Sequence, residues 1–146
     1  MLTIQLISSE QVYPLRKEVL RPNLPIEESM YPTDFEEGTF HVGAFMDEEL
    51  VSIVSFNLDQ SQYFEGKEQY RLRGMATKEA YRGQGIGAQL VEFGIEELID
   101  RKVDVVWCNA RSTALRFYEK LGFEKYGDEF ELPNIGPHFV YAKKIR

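Results

Sequence analysis

The sequence predicts an α/β protein built on one mixed β-sheet, and three observations carry that prediction. The chain has 146 residues, of which 43% are hydrophobic and 28% are charged, which is typical of one folded domain with its own core. A strand, a helix and a second strand follow one another between residues 70 and 108, an order that predicts a right-handed crossover between parallel strands. Hairpin patterns on both sides of this unit require antiparallel pairing. We therefore expect a single domain over residues 1–146, with a mixed sheet flanked by about four helices.

The first part of the chain predicts a strand and then a helix. Residues 1–7 are apolar and β-branched enough for a strand. Ser8 or Ser9 offers the N-cap of the helix, and Pro22 stops it, because the residue before a proline is pushed out of the helical region. Pro14 is tolerated in this helix only within its first turn. The apolar side chains recur at helical spacing: Val12, Leu15 and Val19.

The next stretch, residues 22–38, is irregular. It holds three prolines and a run of acidic side chains, and it has room for one short helix. Residues 39–46 and 50–56 follow as two strands around a turn at residues 47–49, which predicts a β-hairpin. The polar residues 59–67 predict the turn that comes after it.

Residues 70–77 predict the strand that leads into a glycine-rich turn. Alternation places Tyr70, Leu72 and Gly74 on one face of this strand, and Arg71, Arg73 and Met75 on the other. A glycine inside a strand is typical of a bulge or of a close backbone approach, so we expect one of these at Gly74.

The second half of the chain alternates helices and strands. Residues 86–100 predict the clearest helix, because its apolar side chains share one stripe: Ile86, Leu90, Val91, Ile95, Leu98 and Ile99. Residues 103–108 predict an apolar strand covered on both faces. Residues 112–121 predict a helix with Ser112 or Thr113 as its N-cap and Gly122 at its end. Two strands close the chain, at residues 124–131 and 138–144, around a turn at residues 133–137.

Composition and charge exclude several classes of function. The net charge is −7, whereas a nucleic-acid backbone requires a basic face. The single cysteine, Cys108, excludes an internal disulfide, and two histidines without spaced carboxylates predict no metal site. No apolar run approaches the ~20 residues that span a bilayer, and the first residues lack the basic start of a secretory signal. We therefore expect a cytoplasmic protein without a nucleic-acid, membrane or metal partner, and a homodimer as the commonest assembly.

The glycine-rich turn is the motif with the clearest chemistry. Gly83, Gly85 and Gly87 supply three glycines in five positions just before the predicted helix. Without Cβ atoms, backbone N–H groups point freely at an anion, and the helix start adds about half a positive charge. Arg82 adds a cation beside them. The turn therefore predicts a phosphate or pyrophosphate site; the alternative is a tight connection that needs glycine for its geometry alone.

Residues 83–88 also match the dinucleotide-binding pattern G-x-G-x-x-A, with Asp104 about 20 residues further on. Three observations disfavour a nicotinamide-dependent oxidoreductase. Residues 78–82 separate the strand from the first glycine, Asp104 lies near the start of its strand, and only 63 residues follow Gly83. A nicotinamide cofactor is therefore the weaker alternative.

Two longer stretches carry a resemblance to a known family. The run GMATKEAYRGQGIGAQLVEFGIEELI contains R-G-Q-G-I-G, which is similar to the acyl-CoA pyrophosphate loop [RQ]-x-x-G-x-[GA] of the GCN5-related N-acetyltransferase (GNAT) superfamily. The run VVWCNARSTALRFYEKLGFEKYG resembles a second conserved block of that superfamily. Together they cover residues 70–126, and the strand order predicted above agrees with the GNAT fold.

The resemblance implies where acetyl-CoA binds. The strands at residues 70–77 and 103–109 would splay apart at their C-terminal ends and admit the pantetheine arm. The backbone of Met75, Ala76 and Thr77 would pair with that arm like an extra strand, and Asn109 would contact it from the second strand. The pyrophosphate would be held by the glycine-rich loop: Arg82, Gly83, Gln84, Gly85, Ile86 and Gly87.

The resemblance also implies a mechanism, in which a primary amine attacks the thioester directly in a ternary complex. A backbone N–H near Met75 would stabilise the charge on the thioester oxygen. Tyr118 would donate a proton to the departing thiolate, and its alternative role is packing. The general base is open, with Glu28, Asp34 and His138 as candidates acting through water. A non-catalytic acyl-CoA-binding or sensor protein is the alternative to an enzyme.

The resemblance does not name the amine, which can belong to a small molecule or a peptide. His138 and Arg111 are candidate substrate-binding residues, Arg111 for a substrate carboxylate. The acids between Glu27 and Glu37 are candidates to attract a cationic amine, against the alternative of a solvated loop. We expect Cys108 to be buried and inert, and we expect His41 to be structural.

Overall fold

The computed structural model describes residues 1–133 and 135–146, and it confirms the α/β architecture. One sheet contains seven strands: β1 (Leu2–Ile7), β2 (Phe40–Met46), β3 (Glu49–Leu58), β4 (Gln69–Thr77), β5 (Val105–Arg111), β6 (Glu124–Leu132) and β7 (Gly136–Lys144). The described residues form three α-helices: α1 (Ser9–Leu20), α2 (Ile86–Asp100) and α3 (Leu115–Lys120). Within residues 22–38 the chain makes two short 3-10 turns, Ile26–Ser29 and Pro32–Phe35, rather than a fourth α-helix. Among the described residues, no helix is long and apolar enough to cross a membrane.

The sheet is mixed, as predicted, and it opens between its two parallel strands. The strand order is β1-β2-β3-β4-β5-β7-β6, and only β4 and β5 pair in parallel. Their pairing runs from Gln69 and Val105 to Arg71 and Trp107 and then stops. Because β4 continues to Thr77 and β5 to Arg111, the two strands diverge at their C-terminal ends.

Helix α1 begins where the sequence predicts, but its proline lies beyond the first turn. Ser8 is the N-cap, and its side chain accepts a hydrogen bond from the Gln11 N–H while Gln11 caps Ser8 in return. Pro14 is the sixth residue of the helix, so the expectation of a first-turn position is wrong. Burial of Val12 and Leu15 on either side of the proline holds the helix together despite the lost hydrogen bond.

A β-bulge interrupts β4, as Gly74 predicts. Ala76 pairs with Ile53 and Arg73 pairs with Ser55, so Gly74 and Met75 together oppose one residue of β3, and Gly74 has φ +66°. The extra residue reverses the predicted faces of these two positions. Gly74 faces α1, and Met75 packs into the core beneath α2.

Helix α2 has the predicted bounds and covers the centre of the sheet. Its buried stripe confirms five of the six predicted residues, whereas Ile99 is half exposed. Gly94 lies against the Phe56 ring, where a Cβ atom would overlap the aromatic carbons. The close approach of α2 to β3 therefore depends on this glycine.

The C-terminal elements follow the prediction except at the start of α3. Ser112–Ala114 form a 3-10 turn, so Ala114 precedes the helix and the predicted Ser112 or Thr113 cap is wrong. Gly122 ends α3 with φ +91°; its N–H donates to the Glu119 carbonyl, and the Phe123 N–H donates to the Tyr118 carbonyl. Strands β6 and β7 pair antiparallel as predicted; within the predicted turn at 133–137, Asn134 lies outside the described residues.

Candidate active site

The gap between β4 and β5 opens into one large cavity of about 1050 Å³. It lies at the C-terminal ends of the parallel strands, where ligands of open α/β sheets bind. The cavity wall contains most of the residues that the sequence nominates: Met75, Ala76, Thr77, Arg82, Gly83, Gly85, Ile86, Gly87, Asn109, Arg111, Tyr118 and His138. Gln84 is exposed and is the one nominated cofactor residue that does not line it.

The glycine-rich loop forms one end of the cavity with its backbone. Gly83 and Gly85 have φ +78° and +79°, a conformation that glycine adopts at little cost. A Cβ atom at either position would meet no protein atom within 4 Å, so it would project into open space on the cavity wall. Gly85 is also the N-cap of α2, without a side-chain cap. The free N–H groups of a helix start make this end suited to an anion.

Contacts of two loop residues, Arg82 and Gly87, fix how the loop lies against β4 and α3. The Arg82 Nε donates to the Thr77 carbonyl at 3.1 Å, which holds this exposed guanidinium beside the end of β4. Gly87 lies where a Cβ atom would approach Met75 Cε to 3.3 Å and the Phe117 ring to 3.6 Å. Glycine at this position therefore lets α2 start close to both β4 and α3.

The facing edges of the two diverging strands are unpaired. Ala76 and Thr77 pair with Ile53 and Ser52 on one edge, and Asn109 pairs with Val140 of β7. Beyond Arg71 and Trp107, the opposite edges of β4 and β5 have no strand partner among the residues that the structure describes. An extended ligand with amide groups can add to such an edge as a further strand.

Tyr118 reaches the cavity from α3. It is 7% exposed, and its ring packs edge-on against Phe117 and Phe123, with centroids 5.0 and 5.5 Å away. Burial, together with the neighbouring Cys108, raises the pKa of the Tyr118 hydroxyl well above its usual value. The phenol is therefore protonated at neutral pH, the state that a proton donor requires. The same ring contacts anchor α3. The Tyr118 side chain therefore both packs α3 against its neighbours and forms part of the cavity wall.

Cys108 lines the cavity with a buried, protonated thiol. It is 2% exposed, and burial raises the pKa of its thiol to about 12 although the Tyr118 hydroxyl favours the thiolate. A thiol that stays protonated at neutral pH is a poor nucleophile. This agrees with the structural role expected from the sequence.

Residues on the other face of the sheet form the second end of the cavity. Along β5, Cys108 and Ala110 face the core beneath α2, and Asn109 and Arg111 point to the opposite face because side chains alternate. Arg111 is paired with His138 of β7, whose Nδ1 lies 2.8 Å from the Gly136 carbonyl. Arg111 and His138, the two candidate substrate-binding residues, are therefore neighbours at this end of the cavity.

The sequence model of one protein family, described as "Acetyltransferase (GNAT) domain", matches residues 7–142. The chain belongs to the GNAT family. This confirms the resemblance drawn from the two sequence blocks, and it makes the protein an acetyltransferase with an α/β acyltransferase fold.

Similar proteins agree with this assignment. The uncharacterized N-acetyltransferase YitI of Bacillus subtilis (strain 168) is 42% identical over all of this GNAT chain and 98% of its own length. A putative N-acetyltransferase from Lactobacillus plantarum has the same fold with a TM-score of 0.80 at 18% identity, over 99% of both chains. An aminoglycoside 6'-N-acetyltransferase, solved with coenzyme A, matches with a TM-score of 0.74 at 18% identity, over 99% of this chain and 97% of its own.

Two of the three candidate bases of this GNAT protein do not line the cavity. Glu28 is exposed on the 3-10 turn at Ile26–Ser29. Asp34 is buried in an ion pair with Arg16; burial alone would raise its pKa, but the hydrogen bonds and charge of Arg16 outweigh burial and hold the pKa below its ordinary value. A carboxylate that is paired and weakly basic is a poor proton acceptor, so the expectation that Asp34 acts as the general base is wrong. His138 does line the cavity.

His41 is structural, as expected. It is 3% exposed, and its ring nitrogens contact Ser55 Oγ at 2.6 Å and Ser9 Oγ at 3.2 Å. Burial lowers the pKa of His41 to about 4, although the Asp34 carboxylate opposes that shift. The ring is therefore neutral at physiological pH and bridges β2, β3 and the start of α1.

Sequence reasoning missed several residues of this GNAT cavity, above all Arg21, Tyr31 and Arg73. The sequence does contain an indication for Arg73, because this residue belongs to the alternating pattern of a strand that ends at the predicted cofactor loop. Tyr31 had none, because residues 22–38 show no periodicity that predicts its position, and Arg21 had only its place at the end of α1. The tertiary structure alone brings them to the cavity.

Proposed function

We propose that this GNAT protein transfers the acetyl group of acetyl-CoA to a primary amine by direct attack in a ternary complex. One observation carries the proposal: one cavity joins the glycine-rich loop to Tyr118 through the gap between β4 and β5. The similar fold of an aminoglycoside 6'-N-acetyltransferase, solved with coenzyme A, supports coenzyme A as the ligand class.

The residues of the cavity fit acetyl-CoA at both ends of its arm. Gly83 and Gly85 leave open space beside the start of α2 for a pyrophosphate, and Arg82 adds a positive charge. The unpaired edge of β4 at Met75, Ala76 and Thr77 offers N–H and C=O groups to the amides of pantetheine. Asn109 offers a side-chain amide from β5.

The chain then has three tasks in the reaction. Acetyl-CoA supplies an activated thioester, whose carbonyl carbon accepts the lone pair of the amine. The backbone at the β4 bulge, near Met75 and Ala76, donates a hydrogen bond to the carbonyl oxygen as it gains charge. Tyr118 donates its hydroxyl proton to the sulfur that leaves. His138 is the remaining candidate to take the proton that the amine loses.

Steady-state kinetics test the proposal. Thiol release is followed while acetyl-CoA and an amine are varied against each other. A ternary complex gives intersecting double-reciprocal lines, and Cys108→Ala keeps the same pattern. Parallel lines, with acetyl transferred to the protein before any amine is added, would contradict direct attack. Coenzyme A binding without thiol release for any amine would instead favour a non-catalytic acyl-CoA-binding protein.

A further inference from the structure

The cavity concentrates positive charge in a protein that is acidic as a whole. The net charge of the chain is −7, yet five of its nine arginines line this one cavity: Arg21, Arg71, Arg73, Arg82 and Arg111. The described residues of the wall include no aspartate or glutamate. None of the acids between Glu27 and Glu37 lines it, so the attraction of these acids for a cationic amine stays a prediction about the surface outside the cavity.

Most of these arginines lie away from the cofactor loop. Arg82 is beside the loop, but Arg73 faces the Tyr31 ring, with its Cζ 4.2 Å from the ring centre. Arg21 approaches the same ring, at 5.9 Å. Arg111 lies across the gap on β5, on the face opposite to the core beneath α2. All three of these arginines line the cavity, and Arg73 and Arg111 lie on the face of the sheet opposite to the core beneath α2.

These charges have few partners inside the protein. Among the described residues, Arg21, Arg73 and Arg111 have no carboxylate within 4.0 Å, and the Arg21 and Arg71 Nε atoms are buried without a hydrogen-bond partner. Arg71 has one distant contact, to Asp59 at 3.8 Å. Burial and the nearby Arg71 and Arg16 lower the pKa of Arg73. Arg21, Arg71 and Arg73 are partly buried, and partly buried cations that repel one another are stabilised by an external anion.

We propose that the acceptor of this enzyme carries a compact oxyanion, a carboxylate or a phosphate, on the same molecule as its primary amine. Arg21, Arg73 and Arg111 bind the oxyanion, and the amine faces the gap between β4 and β5. Guanidinium groups match both oxyanions through paired hydrogen bonds, whereas a polyamine would meet uncompensated repulsion. This inference rests on the proposed function, because it names the class of acceptor for the same site.

Matched amines provide the first test. Initial rates with acetyl-CoA are compared for leucine against leucinamide, phosphoethanolamine against ethanolamine, and 4-aminobutanoate against 1,4-diaminobutane. We expect the anionic member to have a kcat/KM at least about tenfold higher, the effect of one or two charged hydrogen bonds. The first and second pairs separate carboxylate from phosphate. Preference for the neutral or cationic member, or equal rates within every pair that reacts, would overturn the inference.

Two cavity variants and one control variant test whether these arginines cause the preference for anionic amines. Arg73→Gln and Arg111→Gln should each raise the KM for the anionic amine about tenfold or more and leave the Kd for coenzyme A unchanged. Arg111 is exposed, so its variant should keep the wild-type melting temperature. Arg146→Gln is the matched control, because Arg146 is exposed and does not line the cavity. An unchanged KM in both cavity variants would refute the assignment.

Calorimetry with coenzyme A separates the two proposals. If coenzyme A does not bind, the proposed function fails. If it binds and no amine reacts, the melting temperature of the coenzyme A-saturated protein is measured in sulfate and in chloride at equal ionic strength. A saturable stabilisation by sulfate that Arg73→Gln abolishes supports the oxyanion site. Equal melting temperatures in the two salts would overturn it.

Discussion

Arg16 and Asp34 form a two-pronged ion pair in the interior, with N–O distances of 2.7 and 2.9 Å. Neither side chain is more than 2% exposed. Arg16 also donates to the Ser29 carbonyl and to Ser55 Oγ, both at 2.8 Å, and Asp34 accepts from the Tyr31 N–H at 2.9 Å. The pair therefore ties α1 to residues 22–38 and to β3, and it holds Tyr31 in the cavity wall.

Breaking this pair should strongly destabilise the fold. Asp34→Asn leaves the Arg16 guanidinium buried without its counter-ion, and we expect the free energy of unfolding to fall by about 3–5 kcal/mol. The double variant Arg16→Met with Asp34→Leu removes both charges and should cost less than Asp34→Asn alone. Urea unfolding measures all three proteins. A loss below about 1 kcal/mol for Asp34→Asn would show that the pair is not a structural anchor.

His41 should make the protein less stable in mild acid. Its pKa is about 4 in the folded state, against an ordinary value of 6.5, so between these values the unfolded chain binds a proton that the folded chain does not. The free energy of unfolding should therefore fall by up to about 3 kcal/mol as the pH drops from 6.5 to 4, with no further loss from His41 below that range.

The control for this effect is His41→Asn. It removes the titrating ring from β2, so the curve of stability against pH should be flatter between pH 6.5 and 4. Chemical unfolding at closely spaced pH values gives the comparison. Curves of the same slope for both proteins would show that other groups cause the acid sensitivity.

Gly85→Ala should weaken coenzyme A binding at least about tenfold. Gly85 lines the cavity with φ +79°, and a Cβ atom there would meet no protein atom within 4 Å; strain at such a position costs about 1 kcal/mol, and in the proposed site the added methyl group would meet the pyrophosphate. Gly66→Ala is the matched control, since Gly66 has φ +82°, an open surrounding and no place in the cavity wall. Calorimetry should show a loss of affinity in the first variant alone. Equal affinities in both would assign the loop glycines to backbone geometry.

Tyr118→Phe should lower kcat by about 10²–10⁴-fold, the usual contribution of general acid catalysis, with the Kd for coenzyme A nearly unchanged. Tyr13→Phe is its control, because the Tyr13 hydroxyl is buried with no hydrogen-bond partner in the described part of the chain and lies outside the cavity wall. Stopped assays of thiol release measure both variants. Full turnover by Tyr118→Phe would leave Tyr118 as a packing residue of α3 and would assign the proton to water.

Much of the cofactor end could be predicted from the sequence because its signals are local. The strand before the loop, three closely spaced glycines and the apolar stripe of α2 are short-range patterns, and each appears in the structure within a few residues of its predicted position. The α3 segment with Tyr118 is also local. The roles of the individual loop residues and of Tyr118 stay predictions.

Errors in the sequence-based expectations have identifiable physical causes. The alternation of β4 failed at Gly74 and Met75 because one bulged residue shifts every later side chain to the other face. The position of Pro14 in α1 was misjudged because buried neighbours outweigh local helix preference. The sequence suggests Asp34 as a general base because nothing in the sequence around a loop carboxylate indicates that it pairs with a buried arginine.

The sequence by itself determined the family, the order of the strands and helices, and the position of the glycine-rich loop, since each depends on residues close together in the chain. Only the tertiary structure decided that Arg21 and Tyr31 line the same cavity as the glycine-rich loop. Residues 22–38 have no repeating pattern, and their position is set by Arg16 and Asp34, which are 18 residues apart. That buried contact places the Tyr31 ring beside Arg21 and Arg73. A pairing of this kind is stabilised only when the fold excludes water from both partners.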